Sequence, residues 1–219
     1  MHQIVNNLIK IQNQLKDLNE KRLKDNTKII AVSKTFPIDK ILPLIEHGHT
    51  DFGENKVQEA IEKWTDIKKK YHSIKLHMIG KLQTNKVKFA INIFDYIHSL
   101  DNFKLAKKIS DEQKKNNKKP KIFIQINIGN ESQKSGINSN ELNEFYNNCI
   151  NDLNLDILGI MCLPPNDNKG EYYFKKMSEL IQSISVNELS MGMSNDYLEA
   201  FKSGATFLRI GSNIFGNRN

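Results

Sequence analysis

Three short stretches carry residue types that can do chemistry. The first is "TKIIAVSKTFP" (27–37), where an apolar run from Ile29 to Val32 reads as a buried strand and Lys34 stands at its exit, before a proline turn. A partly desolvated lysine is a nucleophile toward aldehydes, because burial disfavours the ammonium form. A salt-bridged structural lysine fits the same placement. The second is "LSMGMSNDYLEAF" (189–201), in which Gly192 breaks a strand and Ser194 precedes a helix start with acids in its first turn. The third is "LRIGSNIFGNR" (208–218), a strand that passes through Arg209, Gly211 and Ser212 into a short helix-like segment. Backbone N–H groups at such turns, joined by serine hydroxyls, can hold an anion, and a glycine lets it approach the backbone. A plain helix cap and an ordinary glycine turn fit these two stretches as well.

These groups work together only if a fold collects them. Short apolar segments at 28–33, 50–53, 75–79, 95–99, 121–128, 155–162, 187–191 and 205–210 alternate with amphipathic segments at 38–47, 54–70, 83–91, 102–115, 139–151, 170–184 and 195–203. Strand and helix in alternation imply parallel strands with crossover helices. Eight strands predict a closed α/β barrel of the (β/α)8 TIM type, with an open doubly wound sheet as the alternative. The first strand is not followed by the GxGxxG turn that would favour the open sheet. Ile4, Leu8, Ile11, Leu15 and Leu18 recur at helical spacing and predict an extra N-terminal docking helix. No Gly/Ser or Pro-rich linker interrupts the chain, so residues 1–219 are expected to form one domain.

In a barrel the C-terminal strand ends form the functional rim. Lys34 lies there, with Glu54 and Asn55 after the second strand, Gly80 after the third, His98 at the end of the fourth and Asn127 at the end of the fifth. Met161 and Cys162 end the sixth, while Ser190–Ser194 and Arg209–Ser212 follow the seventh and eighth. The last two strands are neighbours, so the two Ser/Gly turns can form one phosphate cup. A lysine and a phosphate cup at one rim suit a phosphorylated aldehyde, of which pyridoxal 5′-phosphate is the common one.

Composition narrows the classes. Hydrophobic residues make up 38% and charged residues 26%, as in a soluble globular chain. No apolar run approaches a membrane span, and the N-terminus lacks a secretory apolar block, so a cytoplasmic protein without membrane contact is expected. A mitochondrial transit peptide is disfavoured by the early acids Asp17 and Glu20. The net charge is +7, with one dense run, "KKNNKKPK" (114–121), read as a solvated loop rather than a nucleic-acid surface. Cys149 and Cys162 belong to no ligand motif, so no metal site is expected.

The chain resembles the pyridoxal phosphate homeostasis protein family, small single-domain relatives of the alanine racemase N-terminal barrel. The resemblance rests on "AVSKTFP" (31–37), "FGENKVQEA" (52–60), "HMIGKLQTNK" (77–86), "IHSLD" (97–101), "IFIQINIGNESQKSGI" (122–137), "LGIMCLP" (158–164) and "LSMGMSNDYLEAFKSGATFLRIGSNIFG" (189–216). It implies pyridoxal 5′-phosphate as cofactor, held as an aldimine on Lys34, with Asn55 beside the cofactor's 3-oxygen and Ser194, Gly211 and Ser212 on its phosphate. Arg209 would lie near the pyridine nitrogen, with His77, Ile79 and Met193 lining the surroundings less directly. Lys81 and Cys162 depart from the family pattern and would alter the charge or redox sensitivity of the mouth.

An arginine cannot protonate the pyridine nitrogen, so the ring stays a weak electron sink. Racemases of the related barrel use a second base and a second domain, and neither is expected here after the eighth strand. The resemblance therefore implies a monomeric carrier that buffers or delivers the cofactor, with apo pyridoxal-phosphate enzymes as partners and no catalytic residues of its own. The alternative is an amino-acid racemase or weak lyase on the same linkage. A phosphate-binding barrel with a purely structural Lys34 is a third.

Overall fold

The computed structural model describes residues 2–19 and 27–216. The ends of the expected 1–219 domain, and Asn217 and Arg218 of the last motif, lie outside the described residues. Helix α1 (Gln3–Asn19) buries Ile4, Leu8, Ile11 and Leu15 along one face, at the spacing that predicted it. Then come β1 (Lys28–Val32), α2 (Ile38–Glu46), β2 (Asp51–Glu54), α3 (Val57–Lys70), β3 (Lys75–Met78), α4 (Val87–Ile93) and β4 (Tyr96–Leu100). The second half continues with α5 (Phe103–Asn116), β5 (Lys121–Ile126), α6 (Leu142–Asn147), β6 (Asp156–Cys162), α7 (Gly170–Leu180), β7 (Glu188–Ser190), α8 (Tyr197–Lys202), β8 (Phe207–Ile210) and α9 (Ser212–Phe215).

All neighbouring strands are parallel, and the sheet closes in the order β1 to β8. Closure is made by β1 on β8, with Ile30 opposite Arg209 and Ala31 opposite Ile210. That pairing removes the open-sheet alternative. Alternation along the strands sends one set of side chains inward, where Ile30, Tyr96, Phe123, Met161 and Phe207 form an inner cluster. The other set, including Ala31, Phe52 and Leu76, packs under the helices in a larger outer cluster. No helix among the described residues is long and apolar enough to cross a membrane.

Three expectations need correction. The helix expected from residue 54 starts at Val57, because Glu54 stays in β2 with its carboxylate turned to buried partners. The helix expected over 139–151 breaks after Asn147 into a wider π turn, Asn148–Asp152. His98 is not a rim residue: β4 runs one residue further than its expected end, and His98 sits mid-strand, fully buried.

Candidate functional site

The turn that carries Lys34 is fastened on both sides. Ser33, fully buried, donates from Oγ to Glu54 Oε1 at 2.8 Å. Lys63 Nζ donates to the Ser33 carbonyl at 3.0 Å, to Glu54 Oε1 at 2.9 Å and to Glu59 Oε1 at 3.0 Å. On the other side of Lys34, the Thr35 N–H donates to Glu59 Oε1 at 2.6 Å. Thr35 has φ 70°, a left-handed conformation that costs a β-branched residue of order 1–3 kcal/mol and persists only where the surroundings enforce it. Here α3 enforces it, through Glu59 and Lys63. Trp64 Nε1 donates to Glu54 Oε1 at 2.9 Å and anchors the network beneath.

Burial pushes the Glu54 carboxyl up, while the Lys63 charge and the bonds from Trp64, Lys63 and Ser33 oppose it. The Lys63 side chain is 9% exposed and that of Glu54 not at all. Removing one partner of a buried pair strands the other charge, at a cost of about 3–5 kcal/mol. Lys63→Met is therefore expected to lower the unfolding free energy by about 3 kcal/mol in urea titrations. A loss below about 1 kcal/mol, the range of an exposed pair, would show that this network does not hold the turn.

Asn55 follows β2 at the same end. A Cβ at Gly80 would stand 2.4 Å from the Asn55 carbonyl oxygen and 2.8 Å from its Cα, so only glycine lets the loop after β3 press against Asn55. Asn55 Oδ1 and Glu54 Oε2 are buried with no hydrogen-bond partner among the described residues. Ile79, half-buried beside Gly53, donates its N–H to the Glu54 carbonyl at 2.9 Å.

The two Ser/Gly turns meet, as their neighbouring strands require. Ser194 Oγ accepts from the Gly211 N–H at 3.1 Å, and Asn213 Nδ2 donates to the Ser194 carbonyl at 2.8 Å. Accepting that bond leaves the Ser194 hydroxyl hydrogen to donate elsewhere. Met193 and Ser212 are exposed at this junction, and Ser212 opens α9. Gly211 has φ −114°, and a Cβ there would make ordinary 3.5 Å contacts with Val32. The protein's own packing does not demand this glycine, and without a Cβ its backbone can be approached closely.

Arg209 is 4% exposed. Its Nη1 donates to Ser190 Oγ at 2.6 Å and its Nη2 to the Cys162 carbonyl at 2.8 Å. Burial pushes its pKa down, yet a guanidinium remains charged at any accessible pH. His77 lies deeper than the other expected site residues. It is fully buried in β3, stacked on Tyr96, and bonded to Asp51 and His98.

The structure thus gathers the Lys34 turn, Asn55, Ile79, Met193, Ser194, Arg209, Gly211 and Ser212 at the C-terminal end of the strands, and sets His77 within the barrel. Cys162 does not face the mouth: it is buried in the outer cluster, and burial pushes its thiol up to about 12, which corrects the expected redox sensitivity. Lys81 is exposed on the loop after β3. Ser33, Glu59, Lys63 and Trp64 escaped the sequence reading. Only the four-residue spacing of Glu59 and Lys63 on a helix signalled any of them.

A buried amide oxygen without a partner among the described residues, a serine hydroxyl with a hydrogen to give, a glycine turn with no Cβ in the way and a fixed cation fit a small anionic cofactor with polar substituents. The family model described as alanine racemase, N-terminal domain, matches residues 7–219. A pyridoxal phosphate homeostasis protein of Haemophilus influenzae is 40% identical over 211 residues, covering 91% of this chain and 89% of that one. The structure of PipY from Synechococcus elongatus with PLP bound aligns with a TM-score of 0.79 and 29% identity, over 93% of this chain and 99% of that one. An alanine racemase of Corynebacterium glutamicum shares the fold, with a TM-score of 0.71 at 17% identity over 98% of this chain and 60% of that one.

Proposed function

This chain belongs to the alanine racemase N-terminal domain family, and on that premise we propose that it binds pyridoxal 5′-phosphate at the C-terminal mouth of its barrel and buffers or delivers it in the cytoplasm. The observation that carries the reading is the seam between β1 and β8. A Cβ at Gly211 would lie 3.5 Å from the Val32 carbonyl oxygen, so the phosphate-type junction sits two residues from Lys34. One small molecule with an aldehyde and a phosphate can engage both. Relatives named for pyridoxal phosphate homeostasis, and the bound PLP of PipY, support the same ligand.

When bound, the cofactor supplies an aldehyde carbon and an electron-withdrawing ring. The residues then divide the work. Lys34, held in place by the Ser33 and Thr35 contacts with α3, would be the lysine that condenses with the aldehyde, with loss of water. Ser194 and Ser212 would donate to the phosphate, while Gly211, whose N–H is held by Ser194 Oγ, would leave its approach clear. Asn55 presents its amide to the ring substituents. Arg209 would be held toward the pyridine nitrogen as a donor that cannot release its proton, which would leave the nitrogen unprotonated and support amino-acid chemistry only weakly. The protein acts as a monomer, with apo-enzymes that require the cofactor as recipients.

Activity distinguishes the carrier from a racemase or lyase. General acid–base catalysis contributes about 100- to 10,000-fold per positioned group, and a carrier lacks a second such group. Deuterium exchange at the Cα of both alanine enantiomers, followed by NMR in heavy water with loaded protein, is expected to be far slower than about one per second. Lys34-dependent exchange at or above that rate would establish an enzyme.

A further inference from the structure

Arg209 is a buried cation whose direct partners are a hydroxyl and a carbonyl, not a carboxylate. A line of side chains leads from it to one. Ser190 Oγ is 2.8 Å from His98 Nδ1, His98 Nε2 is 2.9 Å from His77 Nδ1, and His77 Nε2 is 3.0 Å from Asp51 Oδ1. The line runs inside the barrel to the start of β2, at the opposite end from the mouth. Both imidazoles are locked by stacking, His77 on Tyr96 at 4.2 Å and His98 on Phe123 at 4.3 Å between ring centroids.

The protons in this line can point only one way. An ionised carboxylate only accepts, so His77 donates from Nε2. A neutral His77 then accepts at Nδ1, which makes His98 the donor from Nε2. A neutral His98 accepts at Nδ1 from the Ser190 hydroxyl, and Ser190 accepts from Arg209. Each bond polarises the next in the same sense. Burial lowers the pKa of both histidines, for His98 with help from its neighbour His77 and the Arg209 charge, which favours the neutral rings. Burial opposes the charge of Asp51, but His77, Thr50 and Lys28 outweigh it and hold the carboxyl at about 2. The groups facing the histidine pair are Asp51, Asp95, Lys28, Tyr96, His49 and Arg209.

We infer that Asp51 is the relayed counter-ion of Arg209, and that Ser190, His98 and His77 are positioning residues whose one-directional chain fixes the guanidinium for the cofactor's pyridine nitrogen. Asp196 also acts on Arg209, but only through space. The inference rests on the cofactor reading for its last clause alone, since the chain itself is a property of the protein without cofactor.

The test has two parts. Long-range nitrogen–proton NMR of the full chain, with no cofactor added, is expected to show His77 and His98 neutral at pH 7 with the proton on Nε2 in both. A proton on Nδ1 of either, or a charged ring, overturns the inference. Next, His98→Leu is compared with His98→Gln, whose amide can donate to His77 and accept from Ser190 in the original sense. The leucine variant is expected to lose the slowly exchanging Arg209 guanidinium signals and to bind pyridoxal 5′-phosphate about tenfold more weakly, the order of one unmade buried hydrogen bond. The glutamine variant should retain the signals and stay within about threefold of wild type, less than half of that energy. Equal damage in both variants reduces His98 to a packing residue and overturns the inference. If the leucine variant does not fold, the wild-type tautomers decide. If the wild type takes up no pyridoxal 5′-phosphate, the proposed function fails while the tautomer and guanidinium results still judge the chain.

Discussion

Borohydride treatment of the protein loaded with pyridoxal 5′-phosphate is expected to fix the label on the peptide containing Lys34, and Lys34→Ala to remove that label completely. The argument is positional. Lysine is common in this chain, and an exposed ammonium reacts slowly with aldehydes because it is protonated and mobile. Lys34 differs in its support. Ser33 and Thr35, its two neighbours in sequence, are both bonded into the α3 network, and Thr35 is held in a left-handed conformation. The side chain between them starts from a fixed backbone at the end of β1. Peptide mass spectrometry after reduction reads the result directly. Label spread over several lysines, or concentrated on one other than Lys34, would overturn the assignment. The alanine variant should still bind the cofactor weakly and reversibly, because the phosphate donors remain.

The second large effect is expected when the phosphate is missing. Pyridoxal should bind about 100- to 10,000-fold more weakly than its 5′-phosphate, since two charge-assisted hydrogen bonds at roughly 1.5–3 kcal/mol each lose their acceptor. Ser194→Ala should take part of that loss, and it should not depress the affinity for pyridoxal itself. Gly211→Ala separates ligand from packing. Its Cβ meets only ordinary 3.5 Å contacts with Val32, so the fold should keep its stability while phosphate-ester affinity falls. Isothermal titration with both ligands on both variants measures all of this. Equal affinities for pyridoxal and its phosphate ester would remove the cup from the site.

The parts of the site that sequence revealed are those in which a local signal coincides with a local role. Lys34, Ser194, Gly211 and Ser212 stand where apolar strands give way to turn residues, and the barrel follows from the regular alternation that puts those turns at one end. The roles proposed for them came from the resemblance, since a salt-bridged lysine and two plain caps fit the residues equally well. What stayed hidden is contact across sequence. Lys63 touches Ser33 and Glu54 from helix α3, and no periodicity encodes that meeting. His98 shows how small a shift suffices: the strand read as 95–99 runs from Tyr96 to Leu100, and one residue separates a rim position from an interior one. Asp51 at the other end of the barrel had no signal at all, because its partner Arg209 is reached only through three intervening side chains.

Barrel closure by β1 on β8 also sets a timetable. Lys34 leaves the ribosome early, while Arg209, Gly211 and Ser212 come from the last strand and the helix after it. Ile30 finds its partner Arg209 only when β8 has emerged, and Asn7 of α1 waits for the Ile214 carbonyl of α9, to which it donates at 2.9 Å. Contacts of such long sequence separation form late, because the intervening loop must first be closed. During synthesis Lys34 therefore exists for some time without the turn residues after β8 and without Arg209. On the proposed function, a nascent chain that has not yet made β8 lacks the groups with which to hold the cofactor tightly, and tight binding waits for barrel closure.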